Sequence, residues 1–251
     1  MAHDPLKIIE SADVGQPAEA LEGLQEGPIP NLDKLPDGVV SGSTLIDFSG
    51  AANPVIRSSV SLALLFASRV ATTAVTPEDD ADDWLAHYTQ TLSMLGFRIS
   101  GYGVVNSKFS KTGVAVHKAI IPFLTIAFGG AAVGPIILQG LKSLQEIDPA
   151  QPWITLFDRQ TRRFDAHEMH FAAVSANETE TVIRYAVARL HVAEATTQIL
   201  FFKIDKASAE FQSATTTMTA DNSLLAAAEP KLRDKLAALI ASSIDAADIG
   251  T

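Results

Sequence analysis

The fold class that the sequence predicts is α/β in the α+β sense: one domain, an antiparallel sheet of long strands sandwiched between helical layers. Three observations predict it. Through about residue 147 the apolar residues recur at helical spacing or in long runs punctuated by Gly and Pro. Past Pro149 the chain turns to segments rich in Val, Ile, Phe, Tyr and Thr, joined by short polar links that imply an antiparallel meander. One of those segments, TQILFFKID over 197–205, is apolar on both sides, with Leu200, Phe202 and Ile204 opposite Ile199 and Phe201, so both faces of the sheet need cover.

The predicted organisation is an extended arm over 1–42, open to proteolytic removal, and a domain over 43–251. The arm follows from Pro5, Pro17, Pro28, Pro30 and Pro36, each of which fixes φ and removes a donor. Within the domain a helical half is expected at about 58–147, a β-meander at about 153–219 and a closing helix at about 223–246. Residues 58–75 (SSVSLALLFASRVATTAV) fit a strand or a helix equally by periodicity. Thr76, Pro77, Glu78 and Asp79 read as a helix start, after which Trp84, Tyr88, Leu92 and Leu95 keep helical spacing until Gly96. A short strand or turn is expected over 97–105. Strands are then expected at Trp153–Phe157, His167–Val174, Glu180–Val192, Thr197–Asp205 and Ser208–Thr219. Glu180–Val192 exceeds the roughly 9 to 11 residues that a tilted strand needs to cross a bilayer. In the last helix Leu232, Leu236, Leu239, Ile240 and Ile244 form one stripe.

Composition excludes several functions. A net charge of −10 argues against a nucleic-acid partner, and with no cysteine there is no disulfide, thiolate chemistry or cysteine acylation. The opening MAHDPLKIIESADVGQ carries acids early and has no apolar core after a basic start, so a Sec-type signal is not expected. In HEMH, His167 and His170 fall on opposite sides of a strand, which disfavours a shared metal. Gly101 and Gly103 lack the frame of a dinucleotide fingerprint, and neither GxSxG nor a P-loop occurs. The expectation is therefore a protein without cofactor, metal or catalytic residues. Asn177-Glu178-Thr179 matches a glycosylation sequon but reads as a polar hairpin turn.

The stretch AIIPFLTIAFGGAAVGPIIL, 119–138, holds no charge, and Gly130 and Gly134 give it a GxxxG. Its large apolar side chains favour insertion by about −3 to −6 kcal/mol in all. An interior proline opposes a helix by about 3 kcal/mol and each glycine by about 1. Gly134-Pro135 reads as a break and restart, so the run is two helices meeting at a glycine-rich bend, each too short to span. The alternation of Ser213, Thr215, Thr217 and Thr219 suits a strand that tolerates both water and lipid, and equally an ordinary solvent-facing strand.

The segment PWITLFDRQTRRFDAHEMHFAAV, followed by ETVIRYAVARLHVAEATTQILFFKIDKASAEFQSATTTMTA, resembles the C-terminal sheet region of the cytolytic δ-endotoxins, the Cyt family, and their fungal relative volvatoxin. LALLFASRVATTAVTP resembles the family's first helix and tips 58–75 toward helix. The likeness covers roughly 40–245 in order of elements and about 60 residues in wording. It implies a cytolysin-like fold, a single domain whose antiparallel sheet is wrapped by helical hairpins on both faces, and a non-enzymatic toxin, pore-forming or membrane-disrupting, whose partners are a phospholipid membrane and copies of itself. The protein would be a monomer or dimer in solution, released without a Sec signal and hemolytic or otherwise cytolytic at the target membrane. Residues 180–219 match the strands proposed to insert. The membrane-interaction candidates are Val182, Tyr185, Val187, Leu190, Ile199, Leu200, Phe201, Phe202, Ile204, Phe211, Thr215 and Thr217; the hinge candidates are Gly129, Gly130, Gly134 and Pro135. A non-lytic lipid or apolar-ligand binder of the same fold is the alternative.

Overall fold

The computed structural model describes residues 4–16, 30–75, 81–108, 113–130, 134–163, 166–191, 199–201, 203–204 and 210–247. The chain opens with α1 (Pro5–Ser11) and, after a 3-10 turn at Leu32–Lys34, forms β1 (Gly38–Ser41) and β2 (Thr44–Gly50). A helical half follows: α2 (Pro54–Ala74), α3 (Ala81–Met94), then β3 (Arg98–Lys108), β4 (Val114–Ala115), α4 (Val116–Ala127), α5 (Pro135–Ser143) and α6 (Pro152–Thr161). The remainder comprises β5 (Arg162–Arg163), β6 (Ala166–Ala176), β7 (Glu180–His191), β8 (Lys203–Ile204), β9 (Glu210–Asp221), α7 (Asn222–Lys235), α8 (Ala237–Ile240) and β10 (Ile244–Ala246).

The main sheet runs in the order β10-β1-β2-β6-β7-β9-β3, with β5 paired to β6; β4 and β8 pair separately. The expectation of a wholly antiparallel sheet is corrected at one place, since β2 and β6 are parallel, Thr44 opposite His170 and Ile46 opposite Ala172. Parallel neighbours need a long crossover, and the helical half between β2 and β6 supplies it. The other neighbours in the main sheet are antiparallel.

Local chemistry explains most elements. The ambiguous segment at 58–75 lies in α2, begun by Asn53, whose side chain accepts the Val55 N–H, and by Pro54 in the first turn. In α3 Trp84, Tyr88 and Leu92 are buried at helical spacing, and the turn beyond it closes at Gly96 with φ +98°. The helix start expected at Thr76–Asp79 lies outside the described residues.

Several expectations fail for identifiable reasons. Trp153–Phe157 is the core of helix α6, not a strand: Pro152 occupies the first turn, and Trp153, Ile154, Phe157 and Thr161 form one buried helical stripe. Thr197–Asp205 is not one strand either. Ile199–Phe201 is a 3-10 turn and Lys203–Ile204 a two-residue strand, with Ile199 and Leu200 both buried in the same cluster. Asp158 of α6 pins that turn by accepting the Ile199 N–H at 2.6 Å. The segment at 97–105 belongs to an 11-residue strand, β3, at the sheet edge.

The extended arm over 1–42 contains α1, capped by Asp4 and packed through buried Ile9, and β1, which is already in the sheet; residues 17–29 are outside the description. The closing helix ends at Ile240, and Ile244 enters β10 beside Ser41 rather than continuing the stripe. Charge-free 119–138 is split, as expected, into α4 and α5.

Alternation along the strands divides the apolar core into two clusters. One joins α2, α3 and α7 to Ile46, Ala172, Val174, Ile183, Tyr185, Val187, Ala214 and Met218. The other joins α4, α5 and α6 to Leu45, Met169, Phe171, Ala173, Ala186, Ala188 and Leu190. Among the described residues α2 is the one helix long and apolar enough to cross a membrane by length and composition, and it lies largely inside the first cluster.

Candidate functional site

The candidate site is the set of adjacent long strands β6, β7, β9 and β3, of 11, 12, 12 and 11 residues. Strict register fixes which side chains share a face: Phe171 stands opposite Ala186, which stands opposite Thr215, while His170, Val187 and Ala214 form the next row on the other face.

On the face under α4–α6, β6 and β7 present Met169, Phe171, Ala173, Ala186, Ala188 and Leu190, all buried and uncharged. Arg184 shares this face near one end, in register with Ala173 and Thr217. Thr215, Thr217 and Thr219 continue the face onto β9 and are half-buried, with Ser213 fully buried.

The opposite face carries a buried polar column beneath α3. Glu168 accepts from Arg189 Nε at 3.0 Å and Nη2 at 2.9 Å, and Arg189 Nη1 donates to Asp82 of α3 at 3.1 Å. A carboxylate only accepts, so His170 Nε2 donates to Glu168 Oε1 at 2.8 Å, while Nδ1 shares a 2.6 Å bond with the Tyr185 hydroxyl. Trp84, Tyr88 and Tyr185 surround the imidazole with ring centroids 5.3 to 5.7 Å away. Low dielectric and charge assistance make this joint strong when complete and costly when broken. It secures α3 to β6 and β7.

The membrane-interaction candidates therefore separate. Val182, Leu190, Thr215 and Thr217 share the α4–α6 face, whereas Tyr185 and Val187 point into the α3 side. Ile199, Leu200 and Phe201 lie in the 3-10 turn packed against α4 and α6. Ile204 is in β8 opposite Val114, Phe211 is in β9 opposite Leu190, and Phe202 lies outside the described residues.

The hinge candidates flank the α4–α5 bend. Gly129 and Gly130 follow α4 with φ of +78° and +128°, Gly134 is the left-handed N-cap of α5 at +71°, and Pro135 opens that helix. Residues 131–133 lie outside the description.

Sequence reading missed Glu168, His170 and Arg189 as a unit, although Glu168 and His170 at i and i+2 already signal one face of a strand. It also passed over Ile126, whose side chain is 81% exposed at the end of α4, and His117 in the same helix's first turn. Among the described residues no group of three His, Asp or Glu side chains comes together to hold a metal ion.

No protein-family model matches the chain, and no curated protein matches it. Among solved structures, one titled "delta-endotoxin" is similar with a TM-score of 0.38 and 11% identity, over 82% of this chain and 90% of that one. This is a distant likeness of fold and carries nothing about activity.

Proposed function

We propose that this protein is a membrane-disrupting cytolysin that acts without enzymatic chemistry. The observation that carries the reading is the sidedness of the β6–β7 hairpin. From Met169 to Ala173 and from Ala186 to Leu190 the face under α4–α6 is uncharged, whereas the reverse face holds Glu168, His170 and Arg189. A strand that enters lipid needs such an apolar face against hydrocarbon and tolerates charge only on the side turned to water or to other strands.

The lengths agree, since β3, β6, β7 and β9 each reach the roughly 9 to 11 residues of a tilted crossing. In this reading the helices packed against the two faces are the sheet's soluble-state cover, and α4–α6 are the ones that must lift for the uncharged face to meet lipid. Four strands from one chain fall short of the eight of the smallest membrane barrels, so insertion requires several copies on the membrane. The protein would act at the membrane of another cell.

The test is dye release from phosphatidylcholine and phosphatidylethanolamine vesicles at micromolar protein, with and without limited proteolysis. Release supports the reading. Vesicle binding without release supports the non-lytic alternative, and neither binding nor release ends both.

A further inference from the structure

His117 sits in the first turn of α4 and is 1% exposed. Its Nδ1–H donates to the Leu200 carbonyl at 2.6 Å, and its ring meets Phe201 edge-on at 6.2 Å. The turn that it grips is anchored in turn by Asp158 of α6 through the Ile199 N–H. A single imidazole thus ties α4 to α6 by way of Ile199–Phe201. Its other nitrogen, Nε2, is buried and has no hydrogen-bond partner.

The neutral ring tolerates this setting, because an unpaired lone pair leaves no charge stranded. A proton on Nε2 would place a donor and a charge where nothing accepts either. The site also sits at the positive end of the α4 dipole, which opposes an imidazolium. Burial pushes the His117 pKa below the ordinary imidazole value; the Leu200 carbonyl pulls it up and Lys118 pushes it down again. Charged groups on the packed elements include Lys142 of α5, Asp158 and Arg159 of α6 and Arg184 of β7, and none of these is hydrogen-bonded to the ring, whose Nδ1 is taken by Leu200 and whose Nε2 has no partner.

We propose that His117 is a proton-sensitive latch: neutral, it holds α4 to the Ile199–Phe201 turn, and protonated, it releases α4 toward a lipid surface. The release rests on bonds and burial alone, and its lipid consequence rests on the function proposed above. The helix is built to leave. Pro122 removes one of its internal donors, Gly113 and Gly129 bracket it with positive φ, and Ile126 already faces outward.

The sign follows from the lowered pKa. The folded state prefers neutral His117, so its contribution is complete above about pH 6.5 and is lost as pH falls through the folded value. Hydrogen exchange of 116–127 in the full chain, corrected for intrinsic rates, tests this between pH 7.5 and pH 5. Opening of α4 is expected to rise by up to about tenfold per pH unit below about 6.5, the limit for uptake of one proton. His117→Asn keeps a donor for Leu200 but does not titrate, and its exchange should be flat with pH; His117→Phe should be flat as well, with α4 opening more at all pH values. Unchanged wild-type protection at pH 5, or the same acid response in both variants, overturns the latch. Binding to phosphatidylcholine vesicles at the two pH values separates the claims: acid opening without binding retains the latch and removes the membrane function, while pH-independent leakage with constant protection does the reverse.

Discussion

The Asp47 carboxylate on β2 accepts the Ile136 backbone N–H at 2.6 Å and so caps α5 from the sheet. Ile137 N–H points to the same oxygen at 3.3 Å, and Asp47 Oδ1 accepts from Ser49 N at 2.9 Å. Gly134, the residue at the N-cap position, has no side chain to do this. Asp47→Ala leaves buried helix-end donors without a partner and should cost about 1 to 3 kcal/mol. Urea unfolding followed by tryptophan fluorescence measures it, with Asp47→Asn falling between; an unmoved midpoint for the alanine variant would refute the assignment.

Glu168 and Arg189 form a buried pair whose separate halves are more costly than its absence. Glu168→Leu takes from a guanidinium of which little reaches solvent its two bonds to a buried carboxylate, and should destabilise by about 3 to 5 kcal/mol. The double variant Glu168→Leu, Arg189→Met should recover most of that loss, a non-additivity read from the four denaturation midpoints. Additive losses would show that the pair is not coupled.

Gly134 is surrounded closely as well as being left-handed. A Cβ there would stand 2.7 Å from the Phe128 ring, at φ +71°. Gly134→Ala should cost about 1 to 3 kcal/mol in backbone strain, with repacking added. Gly130→Ala meets nothing within 4 Å and carries strain alone. Thermal unfolding should therefore rank Gly134→Ala below Gly130→Ala in Tm, and the reverse ranking would contradict the packing described.

Ile126 offers a test of membrane contact that leaves folding intact. At 81% exposure, Ile126→Asp should change stability by no more than about 0.5 kcal/mol. If α4 meets lipid, losing one apolar anchor should weaken vesicle cosedimentation about tenfold. Val55→Asp, on the exposed start of α2, is the control and should leave binding unchanged. Equal binding by wild type and Ile126→Asp would remove α4 from the lipid contact.

Legibility in the sequence followed the range of the interaction. The stripe Trp84, Tyr88, Leu92 and the break at Gly134-Pro135 are local, and α3, α4 and α5 lie where spacing and turn chemistry put them. The strands at 167–174 and 180–192 were equally plain, because alternation and a short Asn177–Thr179 link specify a hairpin. WITLF and QILFFKID misled for one reason: aromatic and β-branched composition suits a strand, but Pro152, Asp158 and burial in one cluster with α4 and α5 made a helix of the first and a turn of Ile199–Phe201 in the second.

By itself the sequence determined the succession of helices and long strands, the charge-free run and its glycine bend, because each depends on residues a few positions apart. Only the tertiary structure decided that β2 runs parallel to β6, that Asp47 caps α5, that Arg189 meets both Glu168 and Asp82, and that His117 holds Leu200. Those relationships join residues far apart in the chain, and no local period encodes which distant donor will find which buried acceptor once the sheet has closed.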